Sequence, residues 1–198
     1  MNQPKTMDRK LVLRWVRATW FGWLLGIPLI IVLALAGEAV GIGGSQALVG
    51  AGMGTGIGLL QSRVMRSMLP KAGAWILSCA VGLAVPFLVT DIAKSAGRNV
   101  GYSLFVCIVT GGLIVGGWQA IILSARFRKT LWWVVASALG WTLAAGTSAL
   151  ADPISRLPAL RGVMGALAYL GIVGAGGLVL GLVTGVCLAW MCQHEHAV

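Results

Sequence analysis

Charged side chains divide the chain into six long uncharged runs: 18–36, 39–62, 72–90, 99–125, 130–151 and 162–193. A helix rising about 1.5 Å per residue needs about 20 apolar residues to cross roughly 30 Å of hydrocarbon, so each run predicts one membrane-spanning helix. The runs are continuously apolar, whereas strands of a membrane barrel would alternate apolar and polar positions over about 10 residues. Helices also satisfy their own backbone hydrogen bonds in lipid. The expected fold is an all-α integral membrane protein with six transmembrane helices. The links between runs are too short to hold a soluble domain, so residues 1–198 form a single membrane domain.

The spans carry a repeat. In each odd-numbered span a Trp is followed four residues later by a small side chain and seven later by Gly: Trp15, Thr19 and Gly22; Trp75, Cys79 and Gly82; Trp133, Ser137 and Gly140. Each even-numbered span has two glycines four apart and then a polar side chain: Gly54, Gly58 and Gln61; Gly112, Gly116 and Gln119; Gly177, Gly181 and Thr184. Gln61 precedes Trp75 by the same interval as Gln119 precedes Trp133. The unit is a two-helix hairpin written three times in tandem, with pseudo-equivalent copies at about 15–62, 75–120 and 133–185. A basic cytoplasmic segment, 1–14, precedes them and a cytoplasmic tail, 193–198, follows.

Spacing of i, i+4, i+7 puts each set along one helix face. The glycines are expected to be helix-packing positions, because small residues let backbones approach closely in lipid. Trp15, Trp75 and Trp133 lie beside the basic turns, where they are expected to form an interfacial aromatic belt. Gln61, Gln119, Thr184, Thr19, Cys79 and Ser137 are a candidate polar ring that links helices. Its functional alternative is to contact a solute or headgroup around a pseudo-threefold axis.

The repeat resembles a pattern in uncharacterised bacterial multi-span membrane proteins, where Gly-xxx-Gly-xx-Gln leads through a basic turn to a Trp and a further Gly. The resemblance covers Trp15 to Thr184, and the third copy departs from it with Thr184 in place of Gln. It implies architecture and carries no established activity.

Hydrophobic residues make up 58% of the chain and charged residues 10%, which excludes an ordinary soluble domain. The net charge of +10 would elsewhere suggest nucleic acid, but here the cations follow the topology. Eleven Lys and Arg residues, including Lys5 and Lys71, lie before the first span or in the turns after the second and fourth; four (Lys94, Arg98, Arg156 and Arg161) lie on the other side. The positive-inside rule therefore puts both termini in the cytoplasm. The usage of Arg, Gly and Ala suits a bacterial cytoplasmic (inner) membrane. Anionic headgroups, and not nucleic acid, are the expected partners of the basic turns. Ala34-Leu-Ala36 has the small-residue pattern of a signal cleavage site, but the long basic lead, Trp20 and Trp23 favour an uncleaved span.

Little in the spans can do chemistry. No acidic, basic or histidine side chain is expected at mid-span, where one would mark a proton relay or ion path. No nucleophile with a base, carboxylate pair or metal centre stands out, so no enzymatic activity and no cofactor are expected. Cys192, His194 and His196 are a weak metal candidate at the end of the chain, outweighed by an incidental tail. Glu38, Asp91 and Asp152 each follow an odd span and are expected to be solvated ends paired with nearby cations. Pro28 and Pro86 predict bends in the first and third spans. The function expected from sequence is a non-catalytic scaffold or accessory subunit that docks another membrane protein or lipids. Its alternative is a facilitative channel, small-solute carrier or lipid-handling protein that uses the pseudo-threefold interior. Oligomeric state is not encoded in any of these patterns.

Overall fold

The computed structural model describes residues 8–69, 72–98, 104–155 and 162–194, leaving aside the side chains of 72 and 151–155. Lys5, Lys71, Arg156, Arg161, Glu195 and His196, and the side chain of Asp152, lie outside the described residues. The described residues form six helices: α1 (Arg9–Ala39), α2 (Ala47–Met65), α3 (Ala72–Ser95), α4 (Leu104–Ser124), α5 (Leu131–Ser155) and α6 (Val163–His194). All but α2 are long and apolar enough to cross a membrane, so this is an all-α, multi-pass membrane protein. α2 falls short because Gln61, Ser62 and Arg63 lower its hydropathy and five of its 19 residues are glycines, which contribute almost none. The outward surface carries exposed Leu35, Ile121, Leu131 and Leu167, as suits a protein solvated by lipid.

The helices form a closed ring. Each packs along the next in sequence, and α6 returns to α1; the seam between α3 and α4 is the sparsest. Two local devices set the hairpins. α1 starts where the Asp8 carboxylate accepts from the backbone N–H groups of Lys10 and Leu11, which have no partner inside the helix. At the far ends of α1 and α3 the chain turns at Gly41 (φ 79°) and Gly97 (φ 72°), left-handed positions that favour glycine. There the N–H groups of Ile42 and Arg98 reach back to the carbonyls of Gly37 and Ala93.

α2 is a thin helix wedged between two neighbours. Its glycines fall on two opposite faces, because alternate residues of a helix are about 200° apart. A Cβ added at Gly52 or Gly56 would run into Ile30 or Gly26 of α1. One added at Gly50, Gly54 or Gly58 would run into Leu83, Cys79 or Ile76 of α3. The other hairpins keep one such stripe and a single glycine on the second side, Gly111 against Leu83 of α3 and Gly176 against Thr147 of α5. Gly112 and Gly116 abut Trp141 and Ser137 of α5, while Gly177 and Gly181 abut Trp23 and Val16 of α1. The odd helices answer within their own hairpins, with Gly22 against Ile57, Gly82 against Val115 and Gly140 against Leu180.

These contacts stack the interior in threefold layers. Met65, Leu123 and Leu188, each four residues after the polar position of an even helix, have no exposed surface. Ile57, Val115 and Leu180, four residues before it, are 1% exposed.

Candidate functional site

Between those two layers the three Trp residues meet on the bundle axis. Trp15, Trp75 and Trp133 are 0%, 0% and 1% exposed. Their ring centroids are 5.7–5.9 Å apart in all three pairs, with interplanar angles of 62–83°. Edge-to-face pairs of this kind contribute about 0.5–1.5 kcal/mol each beyond their burial. The expected interfacial belt is therefore corrected: these indoles turn inward and face one another. A helix that is apolar on every side carries no amphipathic signal to say which face points inward.

Each indole N–H reaches an even helix. Trp75 Nε1 donates to Gln61 Oε1 and Trp133 Nε1 to Gln119 Oε1, both at 3.0 Å; Trp15 Nε1 donates to Thr184 Oγ1 at 2.9 Å. The amides then reach back to the preceding odd helix, the first limb of their own hairpin. Gln61 Nε2 donates to Thr19 Oγ1 at 3.0 Å, and Gln119 Nε2 to Cys79 Sγ at 3.1 Å. Thr184 is too short to repeat this step, so its hydroxyl donates to its own Leu180 carbonyl. Ser137, the residue that a glutamine there would have met, donates instead to the Gly112 carbonyl. All six residues of the candidate polar ring are buried, at 4% exposure or less. They form a satisfied cross-linking network, and the rings fill the axis at this level.

Towards the end of the bundle opposite the basic turns, the interior opens into a cavity of about 280 Å³. Every helix contributes to its wall, among them Ile30, Met53, Phe87, Ile108, Trp141 and Val173. Trp23, Leu83 and Trp141 also line it, each buried and each eight residues after a Trp of the axial triad. Trp23 and Trp141 are tilted neighbours with centroids 5.9 Å apart. Leu104, Tyr169 and Leu170 belong to the same wall and are exposed, so the cavity reaches the surface of the bundle. Pro28 and Pro86 stand next to wall residues Ile27 and Phe87. Proline removes one helical N–H donor, here leaving the Leu24 and Gly82 carbonyls without their usual partners from the following turn. Among the described residues the wall has no acidic, basic or histidine side chain.

The remaining candidates resolve differently. Asp91 is a structural cap, its carboxylate accepting from Ser45 Oγ at 2.8 Å and from the backbone N–H of Ala47 at 3.0 Å. It thus caps the start of α2 from α3, where the local N-cap residue Gln46 makes no side-chain cap. His194 sits in the last turn of α6, with Nδ1 2.8 Å from the Trp190 carbonyl and its ring against that indole. Among the described residues no three His, Cys, Asp or Glu side chains gather as metal ligands; His196 lies outside them.

Sequence reasoning does not single out the cavity or Trp23. The signal that could have found Trp23 is the repeat itself: carried one position beyond the glycine of each odd helix, it runs Trp23, Leu83, Trp141. Compared with family models, curated proteins and solved structures, the chain matches none.

Proposed function

We propose that this is a non-catalytic protein of the bacterial cytoplasmic membrane, crossing it six times with both termini inside, that holds a lipid-like apolar molecule in its central cavity. The observation that carries this reading is the cavity, bounded by all six helices and lined among the described residues by no acidic, basic or histidine side chain. The cavity opens to the surface of the bundle beside exposed Leu104 and Leu170, which gives apolar molecules of a surrounding bilayer a route into it. Apolar cavities exclude water and accept apolar molecules. Its size lies at the small end of ligand sites, which run from about 300 to 1,000 Å³, and suits part of a lipid or a compact lipophile. The scaffold role expected from sequence rested on residues that merely pack; a chamber gives lipid handling the stronger support. The axial Trp triad speaks against a through-going channel, because it fills the route from the cavity towards the basic end. The sixth crossing is α2, whose 19 residues span about 28 Å.

The test is purification in mild detergent followed by mass spectrometry of the organic extract. The wild type should retain a neutral lipophile in near-stoichiometric amount. Val173→Phe, which fills the cavity from α6, should lose most of it while keeping its circular dichroism. Equal retention by the two proteins would remove this reading.

A further inference from the structure

A second recess lies on the outside of the bundle, where α5 and α6 run side by side. It is an open groove of about 490 Å³ that shares no lining residue with the central cavity. Small side chains make the hollow: Ala136 is 8% exposed, and Cys187 Sγ donates to the Trp132 carbonyl at 3.5 Å, which ties the two helices together there. Trp132, Leu139 and Val186 stand around them, all exposed. The groove follows α5 from Trp132 to Leu139 and α6 from Trp190 back to Val183, about 10 Å at 1.5 Å per residue. That is about two thirds of the depth of one leaflet's hydrocarbon.

One end of this groove carries a cation. Trp132 and Trp190 meet edge to face there, with centroids 6.1 Å apart, and Lys129 Nζ stands 5.1 Å from the centroid of the Trp190 ring. Lys129 and its neighbour Arg128 are exposed, and α5 begins two residues after Lys129, so the positive end of its dipole lies at the same end. Exposed indoles beside a basic turn occupy the headgroup level of a membrane. The common hairpin does not call for them: the places of Trp132 and Trp190 are taken by Arg14 and Ser67 in the first hairpin and by Ala74 and Ala125 in the second.

We infer that the α5–α6 groove is a binding site for one anionic phospholipid, with an acyl chain lying along it from Trp132 to Leu139 and the headgroup meeting Lys129. Charge complementarity selects this occupant, since an apolar slot that ends at an ammonium matches an apolar chain that ends at an anion. A zwitterionic headgroup would bring its own cation to the same place. A second copy of the chain in the same membrane orientation would set its own basic turns beside Lys129, like charge against like.

The experiment uses vesicles of phosphatidylcholine that carry a trace of photoactivatable phosphatidylglycerol or phosphatidylcholine, each with a diazirine midway along one acyl chain. Labelled residues are located by peptide mass spectrometry. In the wild type the phosphatidylglycerol probe should label Val135, Leu139 and Val186 about fivefold more than the phosphatidylcholine probe, the factor expected for one cation beside an anionic headgroup. At Leu77 and Val81, the exposed counterparts of Val135 and Leu139 on α3, the preference should be smaller. Lys129→Gln should remove the preference in the groove, and Lys129→Arg should keep it. Equal labelling of the groove by the two probes would overturn the site, as would a preference just as large on α3, which would reduce it to a general attraction of basic turns. A preference that survives Lys129→Gln would overturn the selection by charge. Native mass spectrometry of the protein released from the same vesicles supplies the last check: a dimer that Leu139→Ala splits would put a second copy in the groove and overturn the proposal.

Discussion

The indole of Trp75 donates to Gln61 Oε1 at 3.0 Å across the α2–α3 interface, from 14 residues further along the chain. Trp133 and Gln119 repeat both the interval and the distance between α4 and α5. The repeat is therefore conserved inside the molecule as a contact as well as a spelling. Each turn between hairpins is closed beneath its loop by an indole–amide hydrogen bond.

This pair can be measured by a double-mutant cycle. Gln61→Leu and Trp75→Phe should each lower stability, and the double mutant should lose less than their sum. The expected coupling is about 0.6–1.7 kcal/mol, the range found for side-chain hydrogen bonds between membrane helices. Reversible denaturation in mixed micelles supplies the measurement, and strict additivity would show that the bond contributes nothing net.

Two glycine substitutions should part company. In Gly54→Ala the new methyl would meet the backbone of Cys79 and Ala80, which cannot swing aside, so α2 and α3 must separate. A loss of about 1–3 kcal/mol is expected, the usual cost of overpacking. Gly117→Ala meets nothing within 4 Å, and its better helix propensity should leave stability unchanged or raise it by up to about 1 kcal/mol. Melting temperatures in one detergent compare the two, and equal losses would contradict the close approach at Gly54.

Asp91→Ala should cost about 0.5–2 kcal/mol, the range for removing a helix cap. The effect should be local. Hydrogen exchange at the amide of Ala47 should accelerate, since that N–H then loses its acceptor, while amides at the basic end keep their protection. Unaltered exchange at Ala47 would mean that α2 does not depend on this cap.

The proposed topology is open to labelling. With the four native cysteines replaced, a single cysteine at Lys94 should react with a membrane-impermeant maleimide in intact cells. One at Arg128 should react only after the membrane is opened. The reverse pattern would invert the protein in its membrane and remove the positive-inside argument.

How much of this was legible beforehand differs by residue. The helices follow from uncharged runs, because lipid leaves the backbone no partner outside the helix. The grouping of Trp15 with Thr19 and of Gly54 with Gln61 follows from spacing alone. The inward turn of Trp15, Trp75 and Trp133 does not, since the signal that orients a soluble helix vanishes when every face is oily. Nor does the cavity, whose wall joins residues from Trp23 to Val173 and exists only once the ring has closed. Asp91 looked like a solvated end because its acceptor role depends on Ser45, 46 residues away in the chain.

The glycine ladder of α2 has a consequence for biogenesis. A segment so poor in side-chain carbon gains little by partitioning into hydrocarbon alone, and its stabilisation comes from lying as a shim between α1 and α3. It should therefore enter the bilayer as the second limb of a preassembled pair. In a glycosylation-tag insertion assay, α2 presented by itself should pass through the translocon into the lumen, whereas α1 and α2 presented together should both be retained.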